Sequence, residues 1–141
     1  QSQSLCHGDF RNGNLLVHKK RLTGIIDWEF THIGNPLEDI GWFCARCWRF
    51  DNDKEEAGGI GQLSDFMESY ETTNPQQVNW LELPYWKIVA TVQWALIAHR
   101  QGLRDSWNST RKLELALTGF KGVQLEHEIL KLIKNHEGVK I

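Results

Sequence analysis

The stretch LCHGDFRNGNLLV, residues 5–17, sets His7, Asp9, Arg11, Asn12 and Asn14 between two short apolar runs. A solvated turn needs one or two polar side chains, so five in one place read as a loop that carries chemistry. The next dozen residues fix its local geometry. LLV at 15–17 and LTGII at 22–26 are β-prone and joined by the basic HKKR, the pattern of an antiparallel hairpin with a solvated turn. A strand that leaves Asn14 and returns through 22–26 ends where it began. Asp27 is therefore expected beside Asp9 and Asn14, bringing three oxygen-bearing side chains to one place.

Asp9 and Asn14 stand in the pattern H-x-D-x-x-x-x-N, the spacing of a protein-kinase catalytic loop. Phosphoryl transfer to a hydroxyl needs a carboxylate that orients the attacking oxygen and accepts its proton. It also needs oxygen ligands for the magnesium that bridges the phosphates. On spacing alone, Asp9 is the candidate base, and Asn14 and Asp27 are the candidate metal ligands. The bland alternative is a polar turn followed by a strand-end aspartate, and the length of the joint pattern weighs against it.

HGDFRNGN at 7–14, IIDWEF at 25–30 and GNPLEDIGW at 34–42 together resemble the aminoglycoside phosphotransferase and choline kinase family, whose fold is protein-kinase-like. Within it, the chain is similar to the branch associated with acyl-CoA dehydrogenases, a likeness that continues into the tail LELALTGFKGVQLEHEILKLI at 113–133. The resemblance implies transfer from ATP, with Mg2+, to the hydroxyl of a small-molecule acceptor. It implies that Asp9 is catalytic, that Asn14 and Asp27 hold the metal, and that Arg11 lies near the transferred phosphate. It also implies that His7 braces the loop and that Asp39 hydrogen-bonds back to it. A carboxylate between Leu37 and Ile40 is costly in a packed helix unless paired, so Asp39 is expected to be buried and bonded to the backbone of 7–10. Acceptors in the family range from antibiotics, choline and ethanolamine to amino acids, sugars and hydroxyacyl groups; the branch points to a hydroxyacyl thioester.

Two positions depart from the family pattern. Asn35 stands where Asp usually precedes the proline, a nearly equivalent N-cap, and Gly119-Phe120-Lys121 replaces GRR. In such kinases, the glycine-rich loop and the lysine that hold ATP lie in a lobe before the catalytic loop. Six residues precede His7. The expectation is a C-terminal lobe forming a single domain over 1–141, whose partner is the N-terminal lobe of the same protein. The catalytic loop, hairpin and Asp27 segment would occupy 1–34 and a helical bundle 35–141. The alternative is a catalytically silent pseudokinase or binding module of the same fold. A metal-dependent hydrolase would leave the Asn14 spacing and the Asp39 helix start unexplained.

The rest of the chain predicts a mainly α architecture with this small hairpin, as in the C-terminal lobe of a protein-kinase-like α+β fold. Asn35-Pro36, with Glu38 and Asp39 behind it, opens a helix, which Leu37, Ile40, Cys44 and Trp48 extend to about residue 49. DNDKEEAGG at 51–59 reads as a surface loop. Ile60, Leu63, Phe66, Met67 and Tyr70 mark a second helix, and Asn74-Pro75 repeats the start signal. Residues 85–101 are apolar nearly all round, which suits a helix buried on several sides. GLRDSWNS at 102–109 is a loop, and 109–136 a last helix with Gly119 and Gly122 as candidate bends. Cys44 and Cys47, one C-x-x-C without a second pair, read as packing rather than as a metal or redox site. Most of the seven tryptophans read as core.

Composition excludes several classes of partner. Sixteen Lys and Arg against 18 Asp and Glu give a net charge of -2, with no footprint for nucleic acid and no polybasic membrane anchor. No apolar run is long enough to span a membrane. Three cysteines cannot all pair with one another, which favours thiols in a reducing, cytoplasmic compartment.

Overall fold

The structure is a computed structural model that describes residues 3–74, 77–103 and 111–137, with backbone alone at 103, 111–120 and 137. β1 (Ser4–Cys6) enters the polar loop at 7–14 and β2 (Leu15–His18) leaves it. β2 pairs antiparallel with β3 (Arg21–Ile25), Leu15 opposite Ile25 and His18 opposite Arg21. Lys19 and Lys20 both have positive φ, 48° and 62°, the two-residue turn whose twist matches that of the strands. The hairpin expected at 15–27 is thus present, with a register shift between Leu16 and Val17.

A second strand pair was not visible in the sequence. β4 (His32–Gly34) runs antiparallel to β1, with Ser4 opposite Gly34, Leu5 opposite Ile33 and Cys6 opposite His32. Three-residue strands are too short for an alternating pattern to register. The two pairs bracket the loop: β1 and β4 on its entry side, β2 and β3 on its exit.

α1 (Leu37–Cys44) begins where expected. The Oδ1 of Asn35 accepts from the Leu37 N–H at 2.9 Å and its carbonyl accepts from the Glu38 N–H at 2.9 Å, an N-cap in both respects. The helix stops at Cys44 rather than near 49. Ala45 is extended (φ -62°, ψ 139°) and Arg46–Trp48 form a short 3-10 turn. Arg49 then folds back, its Nε and a terminal nitrogen donating to the Cys44 carbonyl at 3.2 and 2.7 Å. That satisfies a carbonyl the helix end leaves orphaned.

The core of this region is Leu37, Ile40, Phe43, Cys44, Ala57 and Leu83. Ala57 and Gly58 are buried, so the segment 51–59 is not wholly a surface loop. Gly58 has φ +62°, and a Cβ there would stand 2.3 Å from the Phe43 ring, so only glycine fits. α2 (Leu63–Thr73) packs Leu63, Phe66 and Tyr70 on this core, while Ile60 lies outside the helix and is exposed. Asn74 ends α2, its N–H donating to the Tyr70 carbonyl at 2.8 Å; the next helical turn is capped by Asn79 instead. Of the tryptophans described, only Trp42 is buried; Trp28 is exposed and the others are half-buried.

The chain divides into two compact units, Gln1–Lys87 and Ile88–Ile141. α3 (Leu83–Leu103) crosses the division, and α4 (Arg111–Glu137) continues as one helix through Gly119 and Gly122. Ala90, Thr91 and Ala98 are buried on α3, but Val92 and Leu96 are exposed. The near-uniform apolar sequence of α3 therefore does not mean that every face is covered. The 102–109 loop expected around Trp107 falls mostly outside the described residues. No helix among the described residues is long and apolar enough to cross a membrane.

Candidate active site

The loop after β1 is held from below by α1. One oxygen of Asp39 accepts from the His7 N–H at 2.6 Å and the other from the Gly8 N–H at 2.9 Å. Its position in the first turn of α1 aims the carboxylate back at the chain. Asp39 is half-buried rather than buried, because it faces loop backbone and not the apolar core. Gly8 has φ +83°, and a Cβ would lie 2.5 Å from the Phe30 carbonyl oxygen; this crossing admits no side chain.

His7 is 2% exposed and both ring nitrogens are used. Nδ1 accepts from the Asp9 N–H at 3.1 Å, which leaves Nε2 to donate to the Ile26 carbonyl at 2.8 Å. A backbone N–H donor fixes the tautomer, since two donors cannot face each other. The indole of Trp28 lies 4.6 Å from the His7 ring. His7 therefore ties the 7–14 loop to the chain immediately before Asp27.

Asp9 is the most heavily held group in the loop. Arg11 Nε donates to both carboxylate oxygens at 3.1 Å. Trp42 Nε1 donates to Oδ1 at 2.9 Å, and Asn14 Nδ2 donates to Oδ2 at 2.8 Å. Asn14 Nδ2 also reaches the Asp9 carbonyl at 2.8 Å. Because both partners are acceptors, the amide nitrogen of Asn14 must face Asp9, and Oδ1 must turn away. No group among the described residues donates to that oxygen. Asn14 is 3% exposed, so the orientation of its amide is set by the protein rather than by solvent.

Asp27 returns to the same end of the hairpin. The Ile26 N–H donates to the Asn14 carbonyl at 3.0 Å, and Asp27 follows with φ 68°, a left-handed backbone that Asp tolerates better than most residues. Its carboxylate is exposed and makes no hydrogen bond among the described residues. The Asn14 amide oxygen and the Asp27 carboxylate are the donors that the resemblance assigns to a metal, and oxygen is the donor type that a hard cation such as Mg2+ takes.

Spacing did not single out two tryptophans that meet this loop. Trp42 lies one turn beyond Asp39 on α1, a separation that could have marked it as a second contact to the loop. Trp48 lies 5.4 Å from the Trp42 ring and has the Arg11 guanidinium 5.1 Å above it. Asn12, whose role the sequence pattern does not define, donates to the Gly58 carbonyl and pins the loop to the 51–59 segment. Glu29 is exposed. The thiol of Cys44 is pushed up to about 12, first by burial and then by the charge of Glu56, as suits a packing residue.

A loop aspartate is gripped by an arginine and an asparagine, and a hairpin leads from that loop to a second aspartate. Residues 1–81 match the phosphotransferase enzyme family. Over 123 residues, 76% of this chain, it is 30% identical to acyl-CoA dehydrogenase family member 11 of Pongo abelii. Over 122 residues, again 76% of the chain, it is 30% identical to acyl-CoA dehydrogenase family member 11 of Homo sapiens. A shorter stretch of 46 residues, 31% of the chain, is 39% identical to acyl-CoA dehydrogenase family member 10 of Mus musculus. The chain spans 16% of the length of the first two relatives and 4% of the third. No solved structure matches. The chain belongs to the phosphotransferase enzyme family, and its fold is of the protein-kinase-like kind.

Proposed function

We propose that this chain carries the catalytic loop and metal ligands of an ATP- and Mg2+-dependent kinase of a small-molecule hydroxyl, with a hydroxyacyl thioester as acceptor. The observation that carries the reading is the orientation of Asn14. Its nitrogen is fixed on Asp9, which leaves its oxygen free of that contact at the strand end to which the chain returns just before Asp27. The acyl-CoA dehydrogenase names of the relatives support the acceptor class.

In this reading, Asp9 orients the acceptor hydroxyl and accepts its proton. Asn14 Oδ1 and the Asp27 carboxylate would hold the cation, which supplies neutralisation of phosphate charge when bound. Arg11 has a particular part. A carboxylate offers about four lone-pair sites, and the Nε of Arg11 lies across both oxygens of Asp9 while Trp42 and Asn14 take one each. The acceptor hydroxyl therefore competes with Arg11 for Asp9. Transfer of the guanidinium to the incoming phosphate opens the base and places a positive charge where negative charge develops. The resemblance puts the ATP cradle in a lobe that precedes the catalytic loop, and phosphoryl transfer depends on such positioning.

The test is a phosphorylation assay on two proteins: the 141-residue chain, and the same chain joined to its natural upstream segment. ATP, Mg2+ and a panel of hydroxylated metabolites that includes hydroxyacyl thioesters are supplied. The longer protein is expected to phosphorylate a hydroxyl, and the shorter one to turn over little ATP. In the longer protein, Asp9→Asn should lower kcat by about 10²–10⁴-fold. Equal activity in that variant contradicts the role of Asp9, and no transfer to any acceptor by the longer protein favours the silent, ligand-binding reading.

A further inference from the structure

Behind the catalytic loop, on the β1–β4 pair, three side chains of another chemistry meet. Cys6 and His32 are directly opposed in the antiparallel register, which puts them on one face of the pair. Glu38, in the first turn of α1, reaches the same place. The Cys6 sulfur, a ring nitrogen of His32 and a carboxylate oxygen of Glu38 lie within 4.8 Å of one another. They come from three elements, and no part of the phosphotransfer reading uses them.

We propose that Cys6, His32 and Glu38 form a binding site for a borderline-soft divalent cation of the Zn2+ class, separate from the all-oxygen site at Asn14 and Asp27. Sulfur, imidazole and carboxylate are the donor types that zinc selects, with bonds of about 2.0–2.3 Å and a tetrahedral arrangement in which a fourth position stays open to water. Hard Mg2+ does not favour a thiolate.

The second ring nitrogen of His32 strengthens the assignment. Nδ1 lies 3.0 Å from the Phe30 carbonyl oxygen, so Nδ1 carries the proton and donates to it. That leaves Nε2 directed at Glu38, 2.7 Å from its carboxylate oxygen. An imidazole whose far N–H is fixed on a backbone carbonyl is the usual posture of a metal ligand. In the absence of metal, a proton must bridge the two acceptors. Accordingly, His32 is raised above its ordinary value, first by the Phe30 hydrogen bond and then by Glu38.

Gly34 leaves room for this meeting. A Cβ there would stand 3.0 Å from His32 Nε2 and 3.2 Å from a Glu38 oxygen. The Cys6 thiol is fully buried and donates to the Asn35 carbonyl at 3.4 Å. Burial, then the charge of Asp39, pushes it up, so a cation must displace its proton to gain the thiolate. His32 and Glu38 keep 45% and 33% of their side chains exposed, which gives a cation its way in. Contraction of the ligand atoms onto one ion would draw β1, β4 and the start of α1 together. His7 and Asp39 are the chain neighbours of Cys6 and Glu38, so occupancy would stiffen the catalytic loop.

Co2+ serves as the spectroscopic probe, added to the full chain under a phosphine reductant. One equivalent should bind with a thiolate-to-cobalt charge-transfer band, be displaced by Zn2+, and resist millimolar Mg2+. Cys6→Ser should abolish the band, and Cys47→Ser should retain it. His32→Gln, at a side chain 45% exposed, should weaken binding by about tenfold or more, with its circular dichroism unchanged. Absence of a thiolate band in the native chain, a band that persists in Cys6→Ser, or unchanged affinity in His32→Gln overturns the proposal.

Discussion

Two antiparallel strand pairs flank the polar loop at 7–14, and they are held by opposite means. The β2–β3 hairpin has the better strand sequence, yet Leu16, Val17 and Leu22 on it are 47%, 65% and 58% exposed. Among the described residues, it is tied to the rest at one end, where Leu15 packs on the core and Ile26 bonds Asn14 and His7. The β1–β4 pair is three residues long, but Cys6 is buried in it and Asp39 of α1 grips the two N–H groups that come after it. Anchorage to a helix, and not β propensity, decides which pair positions the loop. The exposed hairpin serves as a lever that returns Asp27, while the short pair fixes His7 and Asp9.

Removal of the grip should break this asymmetry most strongly. Asp39→Ala leaves two loop N–H groups without their charged acceptor, and bonds to charged groups contribute about 1.5–3 kcal/mol each. An overall loss of about 3 kcal/mol is expected in urea denaturation. A loss under about 1 kcal/mol would mean that α1 does not anchor the β1–β4 pair.

A smaller effect belongs to the His32–Glu38 contact across the same pair. His32 is raised in the folded state, so its protonated form favours folding. The stabilisation is fully present below the unfolded value of about 6.5 and fades as pH rises through the raised folded one. Both side chains are well exposed, which limits the contribution to about 0.2–1 kcal/mol. Stability should therefore fall slightly from mildly acidic to mildly alkaline pH in metal-free buffer, and this slope should be absent in His32→Gln. An identical slope in both proteins removes the contact from the account.

The smallest effect is expected on the hairpin. Val17→Thr and Leu16→Thr keep β propensity and lose only exposed apolar surface, so each should change stability by less than about 0.5 kcal/mol. A loss above about 2 kcal/mol for either would show that the hairpin face is covered in solution and would erase the contrast between the two pairs.

The same contrast explains what was legible in the sequence. The hairpin is local, with two apolar runs and a basic turn within a dozen residues, so its periodicity and its return to Asn14 can be read from the chain. Asp39 was legible because a carboxylate between Leu37 and Ile40 demands a partner. β4 was not, since its three residues pair with β1 across the whole intervening loop and hairpin. The early end of α1 was hidden because Trp48 keeps the helical period while Ala45 has already turned extended. Trp42 read as core, and it is buried, but its indole N–H lies on Asp9; a donor's partner in another element leaves no mark on spacing. Cys6 and His32 share a site only because strands too short to detect oppose them.

The proposed oxygen-ligand site is tested most directly by Mn2+ titration of the full chain, monitored by nuclear magnetic resonance. Mn2+ takes the same oxygen donors as Mg2+ and broadens signals close to it. Broadening is expected first at the Asn14 side-chain amide and at the backbone amides of Ile26 and Asp27, and it should weaken markedly in Asp27→Asn. Broadening that falls evenly on exposed acidic groups along the chain, or that is unchanged in Asp27→Asn, would contradict the assignment of Asn14 and Asp27 to one cation.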